Sequence, residues 1–140
     1  MRAGAIHKLP RLFAAQPENC GPIATSFIAG KDHRIATPIL PTIAEGTAIA
    51  QPIRLPEVIA ALRRSRGGAV LLTEAEIAAS ALSLARAGIY VEPTSAQAEA
   101  AFRRLLDAGA IKPGETTVLV LTGTGLKATP RIAEMLGIEL

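Results

Sequence analysis

The sequence predicts an α/β fold of three layers, a mostly parallel sheet flanked by helices, and two observations carry that prediction. Short β-rich apolar runs alternate with amphipathic helical stretches, and parallel strands need crossovers that helices supply. The composition agrees. Of 140 residues 49% are apolar, twenty-seven are Ala, only four are aromatic and none is Trp, which suits helices packed closely on a sheet. At this length a single domain over residues 1–140 is expected, with no internal repeat or low-complexity linker.

Residues 11–15 form a short apolar run closed by Gln16-Pro17-Glu18-Asn19 and read as a buried strand. Residues 22–29 predict a short helix ended by Gly30, and the polar, proline-broken stretch 31–41 a surface loop. Residues 42–48 show no clear period, and Gly46 among them marks a close backbone approach. Pro56 suits the first turn of a helix with Leu55, Val58, Ile59 and Leu62 as its apolar stripe and Gly67-Gly68 as its end.

A second buried-strand pattern covers residues 69–72. Thr73-Glu74-Ala75-Glu76 follows at once, a capping box in which Thr73 and Glu76 satisfy each other's amides. The helix it opens places Ile77, Ala81, Leu84 and Ala85 on one face and stops at Gly88. Residues 89–91 predict a short strand. Thr94-Ser95-Ala96-Gln97 predicts a second capping box, opening a helix with Ala98, Ala101, Phe102 and Leu105 inward until Gly109. Residues 116–121, the most β-rich run of the chain, read as a strand, Thr122-Gly123-Thr124-Gly125 is a tight turn, and Thr129-Pro130 starts a last helix containing Ile132, Met135 and Leu136.

Several function classes drop out. No apolar run is long enough to span a bilayer and residues 1–9 show no secretory pattern, so a cytoplasmic protein without a membrane partner is expected. The net charge of +3 concentrates in Arg63, Arg64, Arg66, Arg103 and Arg104, near helix ends where cations meet the dipole; with so few aromatics, no nucleic-acid partner is expected. A single Cys20 excludes an internal disulfide, and the two distant histidines, His7 and His33, leave no zinc-ligand spacing and no acid–base pair.

Ligands of parallel sheets gather at the carboxyl ends of strands. That singles out residues 16–21, Thr73, residues 92–96 and residues 122–125. The run Thr122-Gly123-Thr124-Gly125-Leu126-Lys127 offers hydroxyls, glycine amides and an ammonium. It lacks the phosphate-loop spacing, because Leu126 separates Gly125 from Lys127, and a plain tight turn and a ligand contact both stay open. By itself Glu92, ahead of Pro93, reads as a charge beside a helix dipole, Lys127 as a surface amine, and Cys20 as a packed side chain near a helix start.

Four segments go further: Thr42-Ile43-Ala44-Glu45-Gly46-Thr47-Ala48, Thr73-Glu74-Ala75-Glu76-Ile77, Val91-Glu92-Pro93-Thr94-Ser95-Ala96 and Val120-Leu121-Thr122-Gly123-Thr124-Gly125-Leu126-Lys127. Their order and spacing over nearly the whole chain resemble the C-terminal part of threonine synthases, members of the tryptophan-synthase-β-like, fold type II pyridoxal-phosphate enzymes. The resemblance implies a partial fold of that kind, matching the C-terminal part of the large cofactor-binding domain. It implies a reaction of a small amino-acid substrate, O-phospho-L-homoserine and water giving L-threonine and phosphate. The hydroxyl at Thr122 is implied to face the pyridine nitrogen of pyridoxal 5'-phosphate, where a neutral group makes the ring a more restrained electron sink than a carboxylate would. Gly123 is implied to keep the turn close to the ring, Gly46 to let backbone run along the cofactor edge, and Glu92 to sit on the substrate side.

The family's Schiff-base lysine, its ring-contacting Asn motif and its glycine-rich phosphate loop have no counterpart in these residues. Neither Lys127 nor Lys31 lies in the family's lysine motif, so no catalytic residue is assigned. The expectation is a C-terminal portion beginning about where the phosphate loop ends. Alone it is expected to be inactive, to bind the cofactor weakly if at all, and to cover its exposed apolar faces by homodimerisation or by a complementary N-terminal fragment. The alternatives are a threonine dehydratase-like ammonia-lyase on the same fold, and a non-catalytic interaction module.

Overall fold

Strands β1 (Phe13–Pro17) and β2 (Gly68–Leu72) pair in parallel, Phe13 opposite Gly68 through Pro17 opposite Leu72. They belong to a computed structural model that describes residues 6–139. The crossover between them carries α1 (Pro22–Ile28) and α2 (Leu55–Arg64), as a parallel pair requires. Side chains alternate across the pleat, and each strand face meets helices. On one face Ala15, Val70 and Leu72 pack with Ile77, Ala100, Ala101, Ala44 and Leu105. On the other, the buried Gln16 turns its Oε1 to the Ile23 and Ala24 amides, both at 2.9 Å. Those amides belong to the first turn of α1 and have no partner within the helix, so a strand residue caps it. Helix, sheet and helix thus form three layers, in agreement with the α/β expectation.

The strand β1 starts two residues later than the apolar run predicts and continues to Pro17, a residue tolerated at a strand end. The end of α2 also differs. The helix closes at Arg64, and Arg66 takes the left-handed conformation, φ 57°, that a glycine usually supplies. Gly67 is needed for contact instead. It lies flat on Leu12, a Cβ there would overlap the Leu12 carbonyl, and that carbonyl accepts the Gly68 N–H at 3.0 Å. The glycine pair therefore brings α2 into the sheet.

Helix α3 (Glu74–Arg86) opens with the predicted reciprocal cap: Thr73 Oγ1 accepts the Glu76 N–H at 3.2 Å, and Glu76 Oε2 accepts the Thr73 N–H at 2.7 Å. Ile77, Ala81 and Leu84 are buried and Ala85 is half-buried. Helix α4 (Pro93–Asp107) begins one residue before the second box. Pro93 occupies the first helical position and Glu92 the N-cap, so residues 94–97 fall inside the helix and cap nothing. Its buried stripe is Ala96, Ala100 and Ala101 with Gln97 and Glu99, whereas Ala98 and Phe102 are only half-buried.

Two predicted strands are not formed among the described residues. Residues 89–91 contribute one antiparallel bridge, Val91 to Thr124. Residues 116–121 pair with nothing, leaving Val118 80% and Val120 68% exposed. Their β-branched side chains fit a pleated surface, but a ladder needs a neighbouring strand to bond. Helix α5 (Thr129–Leu136) follows, burying Ile132 and packing Met135 with Leu121 on a second cluster of Ala81, Leu84, Val91 and Ala96. No described helix is long and apolar enough to cross a membrane.

Candidate functional site

The first turn of α4 holds two loops distant in sequence. On one side the Gly46 N–H donates to Thr94 Oγ1 at 3.0 Å, and Gln97 Nε2 donates to Thr47 Oγ1 at 2.9 Å and to the Thr94 carbonyl at 3.0 Å. A Cβ on Gly46 would stand 3.0 Å from the Thr94 side chain. On the other side the Gly123 N–H donates to Ser95 Oγ at 2.8 Å, the Glu92 N–H donates to the Gly123 carbonyl at 3.2 Å, and Thr122 Oγ1 lies 3.4 Å from Ser95 Oγ. The Glu92 carboxylate occupies the space a Cβ on Gly123 would need. Thr122, Gly123, Gly46 and Glu92, picked out separately along the sequence, are therefore brought to one helix N-terminus.

More distant ties hold the Gly46 loop. Glu74 Oε2 accepts the Ile43 N–H at 2.7 Å, and Arg131 of α5 pairs with Glu45 at 2.9 Å across a one-turn 3-10 helix, Glu45–Thr47. Glu45, and then Glu134, raise the pKa of the Arg131 guanidinium. The Gly123 loop continues through the Gly125 N–H, which donates to the Tyr90 carbonyl at 3.0 Å, into a second such turn, Gly125–Ala128. Lys127 lies there with its side chain exposed.

Other candidates lie elsewhere or are used up. The Thr73 hydroxyl belongs to the α3 cap. Cys20 is fully buried, and burial pushes its thiol up, away from the nucleophilic thiolate. Arg103 and Arg104 pair with Glu99 and Glu76 along α3 and α4. Among the described residues no cluster of His, Cys, Asp or Glu could hold a metal.

Thr94 and Ser95 fall in the predicted rim of residues 92–96, but reading a capping box there assigns their hydroxyls to the helix and overlooks Gln97. Pro93 was the available signal. A proline at the first helical position moves the cap back to Glu92 and frees the next polar side chains to reach outward. Gln97 is only 2% exposed, and its Oε1 has no partner among the described residues, an unusual state for a buried carbonyl.

A sheet with helices on both faces and glycine turns converging on a helix N-terminus is an arrangement seen in cofactor enzymes, and the comparisons specify which. Residues 1–123 match the family described as pyridoxal-phosphate dependent enzyme, and the chain belongs to that family. Within it the likeness is to threonine synthases. That of Methanocaldococcus jannaschii is 35% identical over 130 residues, covering 89% of this chain and 31% of the relative. That of Mycobacterium leprae is 32% identical over 125 residues, covering 89% and 32%. The crystal structure of threonine synthase from Escherichia coli shares the fold, with a TM-score of 0.71 over 93% of this chain and 30% of that one at 22% identity. The chain thus spans about a third of the length of these relatives.

The described residues fit one end of pyridoxal phosphate. Thr122 is exposed at the tip of a pinned turn, and a hydroxyl there can donate to a ring nitrogen's lone pair. The phosphate end finds no counterpart at these turns, because the Gly46, Gly123 and Gly125 amides already donate to protein acceptors.

Proposed function

We propose that these residues form the C-terminal portion of the large cofactor-binding domain of a threonine synthase, acting on O-phospho-L-homoserine and water to give L-threonine and phosphate. The observation that carries the reading is the docking of the Thr122–Gly123 turn on α4, in a chain 35% identical to a threonine synthase. Pyridoxal phosphate, when bound, supplies an electron sink. Thr122 donates its hydroxyl proton to the ring nitrogen without a charge of its own. Gly123, lacking a Cβ, lets that turn lie against Glu92, and the Glu92 carboxylate borders the substrate side. Gly46 lets backbone pass along the cofactor edge.

The chemistry also needs an amine for the cofactor's aldehyde and amides for its phosphate; the sequence carries neither the family's lysine motif nor its phosphate loop, and the glycine amides described at the site are already bonded. The chain alone is therefore inactive and holds the cofactor weakly. A complementary N-terminal segment, or a second copy, covers the open β-rich run at residues 116–121, whose exposed Val118 and Val120 support that part of the reading.

The test supplies the N-terminal two-thirds of a threonine synthase relative in trans, with pyridoxal phosphate and O-phospho-L-homoserine, and identifies products. Threonine and phosphate from the mixture, and from neither part alone, are expected. Turnover by the isolated chain would overturn its inactivity, ammonia with a 2-oxo acid would point to a dehydratase, and a stable but inert complex would favour an interaction module.

A further inference from the structure

Ser95 is the third residue of α4, and only 3% of it is exposed. Its hydroxyl is not spent on the helix, whose N-cap is Glu92 and has no side-chain cap bond. Instead Ser95 Oγ accepts the Gly123 N–H at 2.8 Å and lies 3.4 Å from Thr122 Oγ1. A serine hydroxyl has one proton and two lone pairs. Gly123 occupies one lone pair, which leaves the proton and the second lone pair for Thr122, and among the described residues the Ser95 side chain has no other hydrogen-bond partner.

We propose that Ser95 is a positioning residue for this site, fixing the Thr122–Gly123 turn and selecting the Thr122 rotamer. By giving its proton to Thr122 Oγ1, Ser95 leaves the Thr122 proton for an acceptor in the cleft. That acceptor is the pyridine nitrogen if the proposed function holds, and this step rests on that reading. Were Thr122 instead the donor to Ser95, its proton would be consumed within the protein and the turn would present only lone pairs. With 3% of it exposed, Ser95 acts through the turn it holds.

The test is solution NMR of the 140-residue chain, reading hydrogen exchange at the Gly123 amide and the three-bond couplings that report the Thr122 χ1 angle. Ser95→Ala is expected to speed Gly123 exchange about tenfold, the factor for losing one part-buried hydrogen bond, and to spread Thr122 over several rotamers. Ser95→Thr, which keeps the hydroxyl, is expected to restore both. Thr122→Val is expected to leave Gly123 protected, because Ser95 alone holds that amide. A Ser95→Ala chain with Gly123 still protected, or with Thr122 still in one rotamer, overturns the proposal. Neither readout needs cofactor or turnover, so its failure is distinct from a failure to make threonine.

Discussion

Gly123→Ala probes the contact between the turn and α4. No left-handed conformation is required at this position, so the cost of a methyl group is one of space. The new Cβ would overlap the Glu92 carboxylate and stand 3.0 Å from its Cγ. The Glu92 backbone cannot withdraw, because its N–H donates to Gly123 and its carbonyl accepts the Ser95 and Ala96 amides at 3.0 and 3.1 Å. Its side chain must therefore leave its rotamer, at about 0.5–1.5 kcal/mol, with residual overpacking bringing the loss to about 1–2 kcal/mol. For a chain of this size that lowers Tm by roughly 3–6 °C. Urea unfolding followed by circular dichroism gives the free energy, and a cycle with Glu92→Ala locates its origin. Once Glu92→Ala has removed the carboxylate, Gly123→Ala should cost almost nothing, a coupling of about 1 kcal/mol or more. An equal cost with and without Glu92→Ala would refute the contact.

Gly67→Ala has no such escape, since its Cβ meets the backbone of Leu12; a loss of about 3 kcal/mol or more, or failure to fold, is expected in the same urea assay. Thr73→Ala removes the α3 cap and should lower stability by about 1 kcal/mol. Glu76 adds a pH dependence. Burial by itself raises its carboxyl, but the Thr73 amide and hydroxyl, with Arg104, hold it below the ordinary 4.5. Its stabilisation is therefore complete above pH 4.5 and is lost as pH falls through the lower folded value. Urea titrations from about pH 6 down to about 3 should show a shallower decline for Glu76→Gln than for the parent chain, and parallel curves would contradict the assignment. Val118→Asp, on the open run, should weaken self-association in sedimentation while leaving helix content unchanged.

What the sequence revealed divides by range. The α3 cap was legible because Thr73 and Glu76 are three residues apart and answer each other. The close approach at Gly46 was legible too, though not its partner, since Thr94 lies 48 residues away. The strand expected at residues 116–121 failed for the complementary reason: Val118 and Val120 carry the propensity, but the bonds of a strand belong half to its neighbour. At the site, Thr122 and Gly123 stood out through family resemblance, whereas the contacts of Ser95 and the whole of Gln97 were hidden by a motif that fits the letters. Pro93 decides between the two readings by fixing where the helix begins. Arg66 shows the limit of counting glycines, because a non-glycine turns the chain while Gly67 makes contact.

The most direct test of the account replaces the matching third of a full-length threonine synthase with these residues and compares the parent chimera with Thr122→Ser and Thr122→Val. Serine should retain threonine formation, and valine should lower kcat roughly 10- to 100-fold, the worth of one hydrogen bond to the cofactor ring. A folded Thr122→Val chimera that makes threonine as fast as its parent would contradict the proposal that this turn serves the cofactor.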